Sequence, residues 1–460
     1  MNRMQGTTLL AARRAPIQDT LEDILLGPRQ PSVPSRLNVK QTVCNQLVSR
    51  PELPAMSDEN IKGMTSEQLL LICASAVEQN DVGTVEQAVS ALQRMSSING
   101  EPSERVTAYF LQALLRRGGS MLDPSFSSGA HELPTSHEVQ WTERRWSLNE
   151  LTRFVDFTPY FRFGYTAANG AMLEAFEGME HIHILDFSTT HGMQWPTFIE
   201  ALADRAEGPP NFRLTLSSAA LPTAPRLQTS YEEVGLRLAN YARLKNVPFQ
   251  FQILPQPLSL LTGAHFNLRD GEALGVNLSL RLHYLADETI ATPQGDFGAA
   301  AQPLCPRDQL LHLVRSLNPA VVTLYEEDCD TTSTDVVRRV EQSYAYEWMP
   351  FDFLATFWPP GHAERQEYEM NVGRKIENII ACEGANRLER LESKRQWLQR
   401  MARLRFRAQP VNEEVVSQLQ DVVDHHNTGW GMKHDEEDCT QSLLWKGNSL
   451  TFASAWIPAP

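Results

Sequence analysis

Asp186 closes a short apolar run, HIHILD, and is followed by Phe187, Ser188, Thr189, Thr190, His191 and Gly192. Open α/β sheets bind ligands at the carboxyl ends of their strands, so a carboxylate here could hold a small molecule. A nucleotide or S-adenosylmethionine site needs several glycines at this point, because the backbone must approach the ligand closely. The stretch after Asp186 offers only Gly192. A buried carboxylate must be paired, and a helix N-terminus is a ready partner. The expectation is therefore a capping or structural hydrogen bond for Asp186 rather than a ligand. His181, His183 and His191 surround the same run, and His181 and His183 fall on one face of a strand. No cysteine or carboxylate at matching spacing joins them, so core or surface histidines account for them better than a metal. His425, His426 and His434 beside Asp435–Asp438 carry a metal no further. No Walker loop, HExxH, ordered Ser-His-Asp set or paired-carboxylate motif stands out. Neither a catalytic centre nor a cofactor is expected.

Two further segments could recognise a partner. RLERLESKRQWLQRMARLRFR (387–407) holds eight Lys/Arg and two Glu. On a helix, Arg387, Arg390, Lys394 and Arg405 could face a phosphate backbone, pair with acidic groups of the protein, or serve as an import signal; a solvated helix face is the plainer reading. LQALL (111–115) has the LxxLL form used in helix-in-groove recognition, although leucines at this spacing more often pack a core.

The chain of 460 residues is 42% hydrophobic and 21% charged, which favours folding over disorder. Net charge is −15, and residues 1–64 carry eight Lys/Arg against six Asp/Glu, leaving −17 for the rest. Such an acidic body works against tight DNA binding unless a local basic patch exists. The six cysteines form no CxxC pair, which points to free thiols in a reducing compartment. No run of 18 apolar residues exists, so no membrane span is expected, and the first residues lack a secretory h-region.

Prolines at 16, 28, 31, 34, 51 and 54 break every periodic run in residues 1–64, a variable and flexible lead-in; its TLEDILLGP piece (20–28) could form one amphipathic turn. From 65 the period is helical. TSEQLLLICASAVEQND opens on a capping-box pattern from Thr65 to Gln68. VEQAVSALQRMSSI and SERVTAYFLQALLRR follow, then a polar loop over 118–147 and a helix ending near Gly178. Residues 65–178 thus read as a helical cap. Beyond 179, strands HIHILDF, NFRLTLSSA, VPFQFQIL, ALGVNLSLRL and PAVVTLYEED alternate with helices. That alternation predicts an α/β core over 179–460 with a mainly parallel, doubly wound sheet. Helices over 335–357, 366–382 and 387–407 precede two runs, QSLLWKG and LTFASAW, which predict a closing hairpin around Gly447–Asn448.

Five segments, in order, resemble the GRAS family of plants. LLLICASAVEQND through RVTAYFLQALLRR is similar to its first leucine-rich region, and GLRLANYARLKNVPFQF to its second. HIHILDFSTTHGMQWPTFIEALADRAEGPP resembles its VHIID motif, carried here by His183, Ile184, Leu185, Asp186, Gln194 and Trp195. NPAVVTLYEED, YAYEWMPFDFL and GRKIENIIACEGANRLER resemble its PFYRE region, with Pro319, Phe351, Asp352, Arg374 and Lys375. LLWKGNSLTFASAW resembles its SAW region, with Trp445, Ser454, Ala455 and Trp456. Leu185 and the Arg374-Lys375 pair depart from the usual motifs, and no DELLA signature appears, so a gibberellin-receptor role is not implied. The STTHGMQ run hints at a scarecrow-like subgroup.

The resemblance implies a Rossmann-like, methyltransferase-like core under a helical cap. It implies a nuclear transcriptional regulator bound to DNA-binding transcription factors such as zinc-finger proteins. Pairing with other GRAS proteins, homodimerisation and direct DNA contact stay open. The alternatives are a methyltransferase or other ligand-binding enzyme on the same core, and a factor that reads DNA by itself. The acidic body and the missing glycine-rich loop weigh against both.

Overall fold

The first helix is set by its own cap. Thr65 Oγ1 accepts the Gln68 N–H at 3.2 Å, and Gln68 Oε1 accepts the Thr65 N–H at 2.9 Å. The computed structural model describes residues 63–119, 145–219, 226–227, 229–290 and 304–460. The lead-in with its TLEDILLGP piece, and most of the 118–147 loop, lie outside the described residues.

Helices α1 (Ser66–Gln79), α2 (Val82–Met95) and α3 (Pro102–Arg117) are followed by α4 (Leu148–Phe157) and α5 (Pro159–Ala175). The apolar period alone predicts no separate helix at 148–157. It forms because Ser147 and Glu150 make a second capping box. The core strands are β1 (His181–Asp186), β2 (Asn211–Ser217), β3 (Phe249–Leu254), β4 (Ala273–Ser279) and β5 (Val321–Glu327). Between them run α6 (Trp195–Ala203), α7 (Tyr231–Leu244) and α8 (Pro306–Ser316). Then come α9 (Val336–Phe357), α10 (Ala363–Ala381), α11 (Lys394–Arg403), β6 (Phe406–Gln409), α12 (Glu413–Asp424), β7 (Trp430–Asp435), β8 (Thr440–Trp445) and β9 (Asn448–Pro458).

The sheet order is β3-β2-β1-β4-β5-β9-β8-β7. The first five strands are parallel, and β9 is antiparallel to β5. This is a Rossmann-like, mainly parallel sheet closed by antiparallel strands, as expected. The far edge of β9 is shared end to end: β8 pairs with Asn448–Ser454, and β6 pairs with Ala455–Pro458. The closing hairpin is present, and its loop is Lys446-Gly447, one residue earlier than expected. Both residues have positive φ (48° and 82°), the conformation that lets a two-residue turn follow the sheet's twist.

Alternation along the strands divides the core into two layers. Ile182 and Ile184 of β1, Val321 and Tyr325 of β5, and Ala453 and Ala455 of β9 face one apolar cluster with α1–α7. Leu185, Val322, Leu324, Phe452 and Trp456 face the other, with Trp397 and Met401 of α11. On the first face α5 lies close against β5. A Cβ on Gly164 would sit 2.4 Å from the Tyr325 ring, so only glycine permits the approach. The helical layer is not built from residues 65–178 alone. Helices α9 and α10 pack on α1 and α3, and buried Arg105 of α3 donates to Glu369 of α10 at 3.0 Å and to the Phe351 carbonyl of α9 at 3.1 Å. The LQALL leucines serve this packing: Leu111 and Leu114 are buried.

Candidate functional site

At the carboxyl edge of β1, Asp186 is buried and accepts three hydrogen bonds. Oδ1 takes the Ser188 N–H at 2.9 Å and Asn277 Nδ2 at 3.1 Å, and Oδ2 takes Trp195 Nε1 at 2.7 Å. Trp195 opens α6, so one carboxylate ties β1 to β4 and to the following helix. Burial pushes the Asp186 carboxyl up from its ordinary value, and these hydrogen bonds act against that. Gln194 extends the network, accepting from Asn277 Nδ2 at 2.9 Å and donating to Asn169 Oδ1 of α5 at 2.8 Å. At the point where the strand order reverses, and where such sheets hold ligands, these groups are committed to one another. Asp186 makes structural hydrogen bonds, as expected, although it caps no helix.

Of the neighbouring histidines, His183 is buried and joined to Thr215 Oγ1 through Nε2 at 2.8 Å. Burial drives its pKa down to about 3, so the ring is neutral. His425 and His426 contact backbone carbonyls through Nδ1, and His434 approaches Gln441 at 3.4 Å. Among the described residues no group of three His, Cys, Asp or Glu is arranged to hold a metal.

The PFYRE-like residues do not form one patch. Pro319 is buried in the turn before β5, and Phe351 is buried under α3. Asp352 accepts Trp445 Nε1 at 2.8 Å and pairs with Lys446 at 2.6 Å, fixing α9 to the hairpin. Arg374 bonds its helix neighbour Asn371. Lys375 does the most: its ammonium lies 2.6 Å from Glu327 Oε2 at the end of β5 and 2.9 Å from Glu347 Oε1 of α9, over the Tyr346 ring. Glu347 is 1% exposed in its side chain. Its burial pushes its pKa up to about 7 against the pull of Lys375, whereas Lys375 and His283 hold Glu327 low despite burial. The SAW-like residues are internal. Trp445, Ala455 and Trp456 are buried in the sheet, and Trp456 Nε1 donates to Ser454 Oγ at 2.8 Å.

The basic segment corrects the sequence reading most sharply. Residues 387–393 are not helical, and 406–409 form a strand. Arg387 and Arg390 are each 2% exposed, so neither can face a phosphate. Arg387 donates to the carbonyls of Thr331 and Ser333 at 2.9 and 3.1 Å. Arg390 donates to the Gly384 carbonyl at 2.7 Å and lies 3.4 Å from Asp287. Lys394 sits between Asp435 and Asp438 at 3.6 and 3.4 Å. Arg405 is exposed, with a left-handed backbone at φ 60°. Arg400 is buried by Glu392, Asp308 and Glu288, and with Arg403 it walls a polar cleft of about 350 Å³.

Three organising residues, Asn277, Glu326 and Arg307, belong to none of the motifs above. Glu326 is fully buried and accepts the N–H groups of Arg281 and Leu282 at 3.0 and 2.8 Å and the His283 ring at 2.5 Å. Arg307 reaches the Leu282, Leu285 and Arg390 carbonyls and Glu392. A polar residue interrupting an apolar strand, as in GVNLSL and TLYEED, was the available signal.

The arrangement is that of a Rossmann-like scaffold whose ligand edge is occupied by its own side chains. Residues 66–457 match the GRAS domain family, and the chain belongs to that family. It is 39% identical over 403 residues to Scarecrow-like protein 32 of Arabidopsis thaliana, covering 85% of this chain and 93% of that one. It is 33% identical to Scarecrow-like transcription factor PAT1 of the same plant, over 84% and 75% of the two chains. The crystal structure of SCL7 from Oryza sativa superposes with a TM-score of 0.69 at 28% identity, covering 86% of this chain and all of that one.

Proposed function

We propose that this chain is a plant transcriptional regulator that works in the nucleus without catalysis, and that DNA-binding proteins, zinc-finger factors among them, recruit it to its targets. Relatives named as Scarecrow-like proteins and as a transcription factor support the regulatory role. The burial of Arg387 and Arg390 carries the recruitment reading. A chain of net charge −15 needs a concentrated basic face to hold DNA alone, and the strongest candidate segment spends much of its charge inside the protein. Direct contact, if made, falls to exposed Arg395, Arg405 and Arg407. Pairing with GRAS proteins, including a second copy, belongs to the same proposal.

The test is selection of duplexes from a random DNA pool by the full-length protein at physiological salt. Recruitment predicts no enriched motif with the protein alone, and a reporter response when the protein is tethered to DNA. An enriched motif that weakens when Arg395, Arg405 and Arg407 are neutralised would replace recruitment with direct reading.

A further inference from the structure

Strand β3 forms one edge of the sheet, and among the described residues it pairs with β2 alone. Phe212 donates to the Pro248 carbonyl at 2.8 Å, and Ser218 donates to the Leu254 carbonyl at 3.0 Å. Even-numbered residues therefore point their backbone groups at β2. By the alternation of a parallel ladder, Phe249, Phe251 and Ile253 turn their N–H and C=O groups outward. Among the described residues no strand pairs with this side. Edges left open are usually blunted by lysine, proline within the strand or a bulge. FQFQIL has none of these.

Exposed leucines occur in the helix before β3 and in the segment after it. On α7, Gly235 packs against Phe251, and the next residue, Leu236, is 66% exposed. Arg243, seven residues on, shares that flank and is exposed. The segment after β3 leaves Leu260 65% exposed and Leu268 43% exposed. At its amino end the edge runs into a cavity of about 310 Å³ whose lining includes Phe249 and Gln250 of β3 together with His181, Arg213, Arg269 and Glu272. Arg213 bonds Glu272 and the carbonyls of Phe266 and Asn267; Arg269 bonds Gln250 at 3.1 Å and approaches Glu272 at 3.6 Å. Two guanidiniums thus share one carboxylate, which leaves one positive charge in excess among these three groups.

We propose that this edge is a docking site for an extended acidic peptide of a partner protein. The peptide adds as a strand beside β3, lays an apolar side chain on Leu236, and sets a carboxylate in the cavity beside Arg269. Main-chain bonds supply affinity, and the cavity supplies the preference for an acid. The cavity lies at the amino end of the strands, and β2, β1, β4 and β5 separate β3 from β9, which pairs with β6 of the basic segment; the proposal does not depend on the transcriptional reading.

The experiment displays random decapeptides, selects them on the full-length protein, and reads hydrogen exchange with the best binder. The expected peptides alternate β-branched or aromatic residues and carry Asp or Glu, and they slow exchange in the fragment spanning Phe249–Leu254. Leu236→Asp should weaken binding at least tenfold. Arg269→Glu should lose acidic peptides and select lysine-bearing ones, a reversal that misfolding could not produce. Protection elsewhere, indifference to Arg269→Glu, or no enriched peptide would overturn the proposal.

Discussion

Replacing Lys375 by Met tests whether the buried ion triad holds the helical layer to the sheet. The side chain keeps its length and loses its charge, leaving Glu327 and Glu347 facing each other with little water. Removing one partner of a buried ion pair costs about 3–5 kcal/mol, because the remaining charge stays desolvated. The side chains of Lys375, Glu327 and Glu347 are 15%, 13% and 1% exposed, so solvent screening takes little of this away.

The loss should depend on pH in a defined direction. Glu347 titrates near 7 in the folded protein, above its unfolded value. The folded state therefore binds the proton more readily, and lowering the pH through 7 stabilises the protein through this group. Without Lys375 the Glu347 carboxyl rises further, and Glu327 loses a group that holds it low. The deficit should be about 3–5 kcal/mol near pH 8.5 and shrink by roughly 1–3 kcal/mol near pH 6, as one proton neutralises the pair. Urea unfolding followed by tryptophan fluorescence at the two pH values measures both. Adding Glu347→Gln to the variant should recover part of the loss at high pH. A deficit below about 1 kcal/mol near pH 8.5, or one independent of pH, would refute the reasoning.

Gly164→Ala puts a methyl 2.4 Å from the Tyr325 ring and should cost about 1–3 kcal/mol in the same assay, with a lower melting temperature. Trp445→Phe removes the N–H that reaches Asp352 and should cost about 1–3 kcal/mol; a Trp445→Phe/Asp352→Asn pair should be less than additive in a double-mutant cycle. Asp186→Ala should destabilise more than Asp186→Asn, since Asn keeps one oxygen acceptor while Ala orphans Trp195 Nε1 and leaves Asn277 Nδ2 with Gln194 alone; thermal melts rank the two. Because burial raises the Asp186 value in the folded state, the wild-type advantage over Asp186→Asn should narrow as pH rises through that value.

The five parallel strands and the helices between them could be read from the chain because each carries its period within its own residues. So could the Thr65 cap. The Ser147–Glu150 box carries the same signal, but it sits at the end of a polar stretch with no apolar period before it. The segment 387–393 could not be read. Its extended backbone is held by Asn378 Oδ1, which accepts the N–H groups of Leu388 and Glu389 at 2.7 and 2.9 Å, and by Thr331 Oγ1, which accepts Leu391 at 2.9 Å. Those partners come from other elements, and without them eight basic residues in a row of helix formers look like a solvated helix. Strand β6 was lost in the same run, because its four residues earn their state only by pairing with the end of β9. The Asp186 role followed from the chemistry of burial, whereas the identity of its partner Asn277, 91 residues away, did not.

The distribution of charge suggests how such a core can serve recognition. A Rossmann-like sheet ordinarily leaves its carboxyl edge open for a ligand. Here Asp186, Asn277, Gln194 and Asn169 close a hydrogen-bonded set across β1, β4, α6 and α5, and Glu326 does the same for the turn after β4. Opening that edge would orphan several buried polar groups at about 1–3 kcal/mol each, so the scaffold is strongly biased against a pocket there. Lys375 and Asp352 then fasten α9 and α10 to the sheet and its hairpin through buried or half-buried charged contacts. Rigidity of this kind suits a protein that presents surfaces, because the cost of ordering them is met on folding and not at each encounter. Such a core leaves recognition to its outer surfaces, which is where the proposed contacts lie: the exposed arginines at 395, 405 and 407, and the edge of β3 that no strand pairs among the described residues.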